Sequence, residues 1–180
     1  MKLYSHHIFI LLCFLILLAS ATKIAKIQWK ENVKLQLTYY KGKPVVNSKF
    51  YANTNTQLSI TITKKQHVTA DAVAYFDPYK SWIRPSSPTS VIQHEQLHFD
   101  ITEIYARELR KQIKVLSLLK MKPEEHKAKL TNLYNTVAHQ LRNDQARYDV
   151  ESKHSLNIPM QKKWADSVAI RLNLLKAYSK

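Results

Sequence analysis

The chain has 180 residues, a single cysteine and a formal net charge of +15 at neutral pH, which excludes a disulfide framework and fits one domain with one core. Its lysines are scattered through every segment, with no basic stripe interleaved with aromatics, so the charge reads as a solvated surface rather than a nucleic-acid footprint. Such a surface attracts anions.

At the start of the chain, residues 1–7 are short and polar with one cation at Lys2, residues 8–18 form an unbroken apolar run, and Ala19-Ser20-Ala21 supplies small residues. This is the three-part pattern of a secretory signal peptide, and the run is well short of the roughly 20 residues that span a bilayer. The expectation is a leader over 1–21, cleaved near Ala21, and one domain over 22–180 that is periplasmic or extracellular. Cys13 lies inside the leader, so the mature chain would hold a metal by imidazole and carboxylate rather than thiolate. Export directs the basic surface toward anionic cell-envelope components and denies it nucleic acid.

Residues 24–83 are rich in Thr, Val, Ile and Tyr, with alternation over 35–39, 58–62 and 68–76. These predict half-buried strands, punctuated as turns by Gly42 with Pro44 and by residues 53–55. The second half has no glycine and long periodic segments. A first helix is expected from about 90 to 119, capped by Ser90 with Gln93 in capping-box spacing or by Ser87 before Pro88. A second starts at Pro123, with Leu130, Leu133, Tyr134, Val137, Leu141 and Tyr148 at helical spacing. Residues 157–159 break the chain, and a last helix over about 160–177 should bury Trp164, Val168, Leu172 and Leu175. The fold expected is α+β, an N-terminal antiparallel or mixed β-sheet packed on three long C-terminal helices.

The run His94-Glu95-Gln96-Leu97-His98 falls inside the first expected helix, where residues four apart share one face. Two imidazoles so placed grip one ion, Zn2+ being the natural choice, and Glu95 points its carboxylate at the water the metal activates. A catalytic zinc needs a third protein ligand and an open position. Residues 148–154, Tyr-Asp-Val-Glu-Ser-Lys-His, gather further donors where the second helix can return antiparallel to the first. On helical spacing His154, Glu151 and Tyr148 share one face, and Asp149 points elsewhere unless the helix has ended. Trp29, Trp82 and Trp164 read as core or interface anchors.

The stretch His94-Glu95-Gln96-Leu97-His98-Phe99-Asp100-Ile101-Thr102-Glu103, with Phe76-Asp77-Pro78-Tyr79-Lys80-Ser81-Trp82 before it, resembles the bacterial domain-of-unknown-function family 922, predicted secreted zinc-dependent proteases. The likeness extends to a downstream element of the form Tyr-Asp-x-x-Thr-x-His-Gly, here Tyr148 to Ser155, with Ser152 for the threonine and Ser155 for the glycine. It covers nearly all of the mature chain. The resemblance implies zinc at His94 and His98, catalysis by Glu95, and His154 or Asp149 as the remaining ligand; His154 is favoured, with Asp149 the alternative or a partner orienting an imidazole. It also implies a zincin-like arrangement, in which residues 73–76 form an edge strand beside the active-site helix and an extended peptide substrate adds to it. Tyr148 is a candidate oxyanion donor, against a competing reading as a core tyrosine. The function expected is hydrolysis of peptide or cell-wall amide bonds. The rival is a non-catalytic basic module that binds the envelope, its metal structural or absent.

Overall fold

In chain order the computed structural model runs β1 (Ile27–Gln28), β2 (Ala52–Asn53), β3 (Thr56–Lys64), β4 (Val68–Phe76), β5 (Trp82–Ile83), α1 (Thr89–Ser117), α2 (Pro123–Ser152) and α3 (Ile158–Leu174). It describes residues 26–64 and 67–180; the expected leader over 1–21 lies outside them. The fold is α+β, an antiparallel sheet followed by three helices. No helix among the described residues is long and apolar enough to cross a membrane.

β3 and β4 pair antiparallel along their whole length, from Thr56 opposite Phe76 to Lys64 opposite Val68. Val68, Ala72, Ala74 and Phe76 are buried on one face of β4, the alternation a half-buried strand requires. β1 joins the other side of β4, giving the order β1-β4-β3, and β2 pairs with β5 separately. Two expectations are corrected here. Residues 73–76 belong to the central strand, because β1 and β3 occupy both of its edges, so the edge beside the helices is β3. Residues 35–39 are not a strand: Leu37–Tyr39 forms a 3-10 turn closed by Tyr39 N to Gln36 O. Leu35 is buried while Leu37 is exposed, so the alternation marks no sheet face.

α1 packs against β3 and β4 on one side and against α2 and α3 on the other, which leaves little of its middle in contact with water. Phe99, Ile101, Ile104 and Leu109 are fully buried, each stabilising by roughly 1.5–3 kcal/mol. Asp100, Glu103 and Arg107, buried along the same helix, are paired. Glu103 accepts from Arg107 and Arg110, whose remaining donors reach the carbonyls of Leu172, Ala72 and Tyr178. This ties the end of the chain to the sheet.

The expected Ser90 capping box does not form. α1 begins one residue earlier, on Pro88 in extended conformation with Val91 N bonded to Pro88 O, so Ser90 is already inside the first turn. α2 begins at Pro123 as expected, with Glu124 and Glu125 against the helix dipole. α3 begins two residues before the expected start, because the Asn157 side chain caps Met160 N.

The segment over 77–81 shapes one wall of the fold. Asp77 Oδ1 accepts from the amides of Tyr79 and Lys80, and Ser81 Oγ donates to Asp77 O while accepting from Asn55 N. Gly42 packs against it so closely that a Cβ there would lie 2.7 Å from Ser81 O. The only glycine of the chain is therefore set by a close approach rather than by a turn alone.

Candidate metal centre

His94, Glu95 and His98 come from the second and third turns of α1, at the end nearest β2 and β3. α2 runs back past this face, and its residues Gln145, Asp149 and Ser152, at helical spacing, are turned toward the two histidines. Asp149 Oδ1 lies 3.0 Å from His94 Nε2 and 3.0 Å from His98 Nε2, and the two Nε2 atoms are 3.1 Å apart. Donors on one tetrahedral zinc, at ordinary bond lengths, sit about 3.3 Å from each other. The triangle fits such an ion with slight compression.

The far side of each imidazole is also engaged. Gln145 Nε2 donates to His98 O and to Thr102 Oγ1, which turns its Oε1 toward His98 Nδ1; that nitrogen must then carry the proton. Ser152 Oγ donates to Tyr148 O at 2.6 Å and takes His94 Nδ1 as its donor at 3.4 Å. Both rings therefore present a bare Nε2 to the triangle, the arrangement that supports metal ligation. Burial is the largest influence on His94 and lowers its pKa, favouring the neutral ring. Burial also acts on His98, but Asp149, Glu95 and Gln145 outweigh it and raise its pKa. Burial alone would raise Asp149, yet the His94 and His98 rings set against its Oδ1 hold it well below the usual carboxylate range.

His154 stands beside this triangle. Its Nδ1 is 3.4 Å from Asp149 Oδ1, and His94, Asp149 and His154 each offer an atom within 4.8 Å of the others. It leaves α2 by an unusual exit, for Lys153, His154 and Ser155 all have positive φ, at 50°, 49° and 77°. Left-handed backbone costs a residue with a Cβ roughly 1–2 kcal/mol. The turn is held by His154 N to Asp149 O and Asn157 N to Ser152 O. Ser155, where the resembling pattern has glycine, is buried with its hydroxyl unpartnered.

Glu95 lines a cleft of about 350 Å³ together with the triangle, His154, and the wall formed by residues 52–56. The Glu95 side chain has no hydrogen-bond partner among the described residues and faces this cleft. Tyr148 occupies a different place from the one an oxyanion donor needs. It is fully buried behind the histidines, its ring stacked on His94 at 4.4 Å and its hydroxyl 3.4 Å from His94 O. Burial, then the charges of Glu95 and Asp149, raise its pKa and keep the phenol protonated. Tyr148 packs flat against the His94 ring from the side away from the cleft.

Helical spacing alone places Asp149 away from Glu151 and from a helical His154; in the structure Asp149 keeps apart from Glu151 but meets His154. The helix ends at Ser152, so His154 is no longer on the wheel, and the face opposite α1 is the one carrying Asp149. Glu151 points out and accepts from Trp164 Nε1 at 2.8 Å. His67, His126 and His139 do not line the cleft. Sequence reasoning missed Gln145, whose signal was its place four residues before Asp149, and Arg142, one turn earlier on the same stripe.

The fold and site define an α+β protein whose helix-borne histidine pair meets a carboxylate from the returning helix. The chain belongs to the bacterial proteins of unknown function described as DUF922, the model of that family matching residues 32–155. That span contains every donor of the triangle, Glu95 and His154. No curated protein and no solved structure matches the chain.

Proposed function

We propose that the protein is an exported zinc-dependent metallopeptidase that hydrolyses peptide or cell-wall amide bonds in the cleft between α1, α2 and residues 52–56. The observation that supports this reading is the convergence of His94 Nε2, His98 Nε2 and Asp149 Oδ1 within 3.0–3.1 Å of one another, beside the unpartnered carboxylate of Glu95. Two nitrogens and one carboxylate oxygen suit a divalent ion of intermediate softness and leave a fourth position for the reaction. Zinc held there supplies Lewis acidity, polarising the scissile carbonyl and lowering the pKa of water to about 7.

The chain's own residues do the rest. Glu95 takes one proton from the attacking water as its oxygen bonds to the carbonyl carbon, and returns it to the leaving nitrogen as the C–N bond breaks. Gln145 and Ser152 hold the two imidazoles in one tautomer, and Tyr148 backs His94 from the dry side. The leader pattern of residues 1–21 supports an envelope location, and the basic surface suits anionic components there.

A closed, structural site is the second reading, favoured by the nearness of His154 Nδ1 to Asp149 Oδ1 at 3.4 Å: four protein ligands would leave no position for substrate. One comparison separates the two. With residues 22–180 loaded with zinc, Glu95→Gln should keep about one metal per chain and lose hydrolysis of a broad peptide panel by at least a hundredfold. Equal activity in both proteins would remove Glu95 from the chemistry, and none in the native one would leave the structural site standing.

A further inference from the structure

Each of the six arginines of the chain except one is tethered. Arg84 bonds Ser48 O, Arg107 and Arg110 share Glu103, and Arg147 and Arg171 share Asp144. Arg142 has no partner among the described residues, is exposed, and lines the same cleft as Glu95 and His98. It stands three residues before Gln145 and seven before Asp149, on the stripe of α2 that faces the site. Seven residues of helix rise about 10 Å, which is about three residues of an extended peptide.

A planar guanidinium with all its donors free, set into a cleft wall, matches a carboxylate through two parallel hydrogen bonds. Around it the cleft lining includes the neutral Phe50, Asn53, Thr54, Asn55 and Leu141. The other charged groups in the cleft, Glu95 and Asp149, are anionic and would repel an acidic substrate unless a cation offset them.

We propose that Arg142 is the specificity residue of the cleft and that its substrates carry a carboxylate two to three residues from the bond cleaved. This rests on the hydrolytic reading above and names its substrate class. The carboxylate has two chemical sources, an internal Asp or Glu side chain or the C-terminal carboxylate of a short peptide, and Arg142 would hold either in the same way.

The test uses zinc-loaded native protein, R142A and R142E on a peptide library of fixed scaffold. One set is acetylated and amidated, with Glu, Gln or Lys at each position in turn; a second carries Gln throughout and a free C-terminus. The native protein should prefer a carboxylate by roughly tenfold to a hundredfold in kcat/KM, carried by KM, as a charge-assisted bond provides. The ratio should fall to about one in R142A, with zinc content and melting temperature unmoved, and should turn toward Lys in R142E. Preference for Glu marks the side chain as the source, and preference for the free C-terminus marks the chain end. A native ratio near one, or a ratio that survives in R142A, overturns the assignment and leaves hydrolysis intact. If the native protein cleaves nothing, calorimetric binding of the same peptides to zinc-loaded Glu95→Gln decides: an Arg142-dependent preference keeps the recognition and overturns hydrolysis, and its absence overturns both.

Discussion

Gln145 Oε1 faces His98 Nδ1 while Gln145 Nε2 is committed to His98 O and Thr102 Oγ1. The amide can adopt no other orientation without losing two bonds, so it dictates which ring nitrogen of His98 carries the proton. A residue outside the triangle thereby decides whether Nε2 is available to a metal.

Replacing Gln145 by Leu removes this control and leaves the triangle's atoms in place. Zinc affinity, measured by competition with a fluorescent chelator, should weaken by roughly tenfold to a hundredfold. An unchanged dissociation constant would mean that the ring is oriented by something else.

The geometry orders the two residues that compete for the third ligand position. Asp149 is 3.0 Å from both Nε2 atoms, whereas His154 lies further out on an exposed turn. Elemental analysis of Asp149→Ala should show loss of most of the zinc, and His154→Ala should retain it. The reverse pattern would put His154 in the coordination sphere and Asp149 behind it.

Ser155 combines a φ of 77° with a buried hydroxyl that has no partner. Glycine relieves both penalties and gives back part of the gain as unfolded-state freedom. Ser155→Gly should therefore be more stable by about 1 kcal/mol, raising the melting temperature by about 3 °C for a protein of this size. A lower melting temperature would show that the serine makes a contact stronger than its strain.

Much of this is legible in the sequence alone. The His94-Glu95-x-x-His98 spacing needs only a helix to align its two rings, and the long periodic segments supplied one. β3 and β4 are announced by alternation, over residues 58–62 within the first and over the whole of the second. What the chain concealed was tertiary. The alternation of residues 35–39 matches that of a strand, but it is spent differently: Leu35 N bonds the side chain of Gln96, and Lys41 N bonds Pro78 O. Which strand forms the edge depends on β1, two residues long and without a pattern of its own. A common helical wheel sets Asp149 apart from His154, and three consecutive left-handed residues take His154 off that wheel. Non-glycine residues seldom adopt that conformation, so nothing local signalled it.

The ring of Tyr148 lies between His94 and Trp164, whose centroid is 5.2 Å from its own. Trp29 and Trp82 do not line the cleft, and Trp29 is tied to Asp100 on another side of α1. Trp164 belongs to α3, beyond the segment matched by the family, yet it stands one aromatic ring from a donor of the triangle. Its indole is thus a built-in optical reporter: once Trp29 and Trp82 are replaced by phenylalanine, the remaining emission should track the packing behind His94, with no label attached to the site.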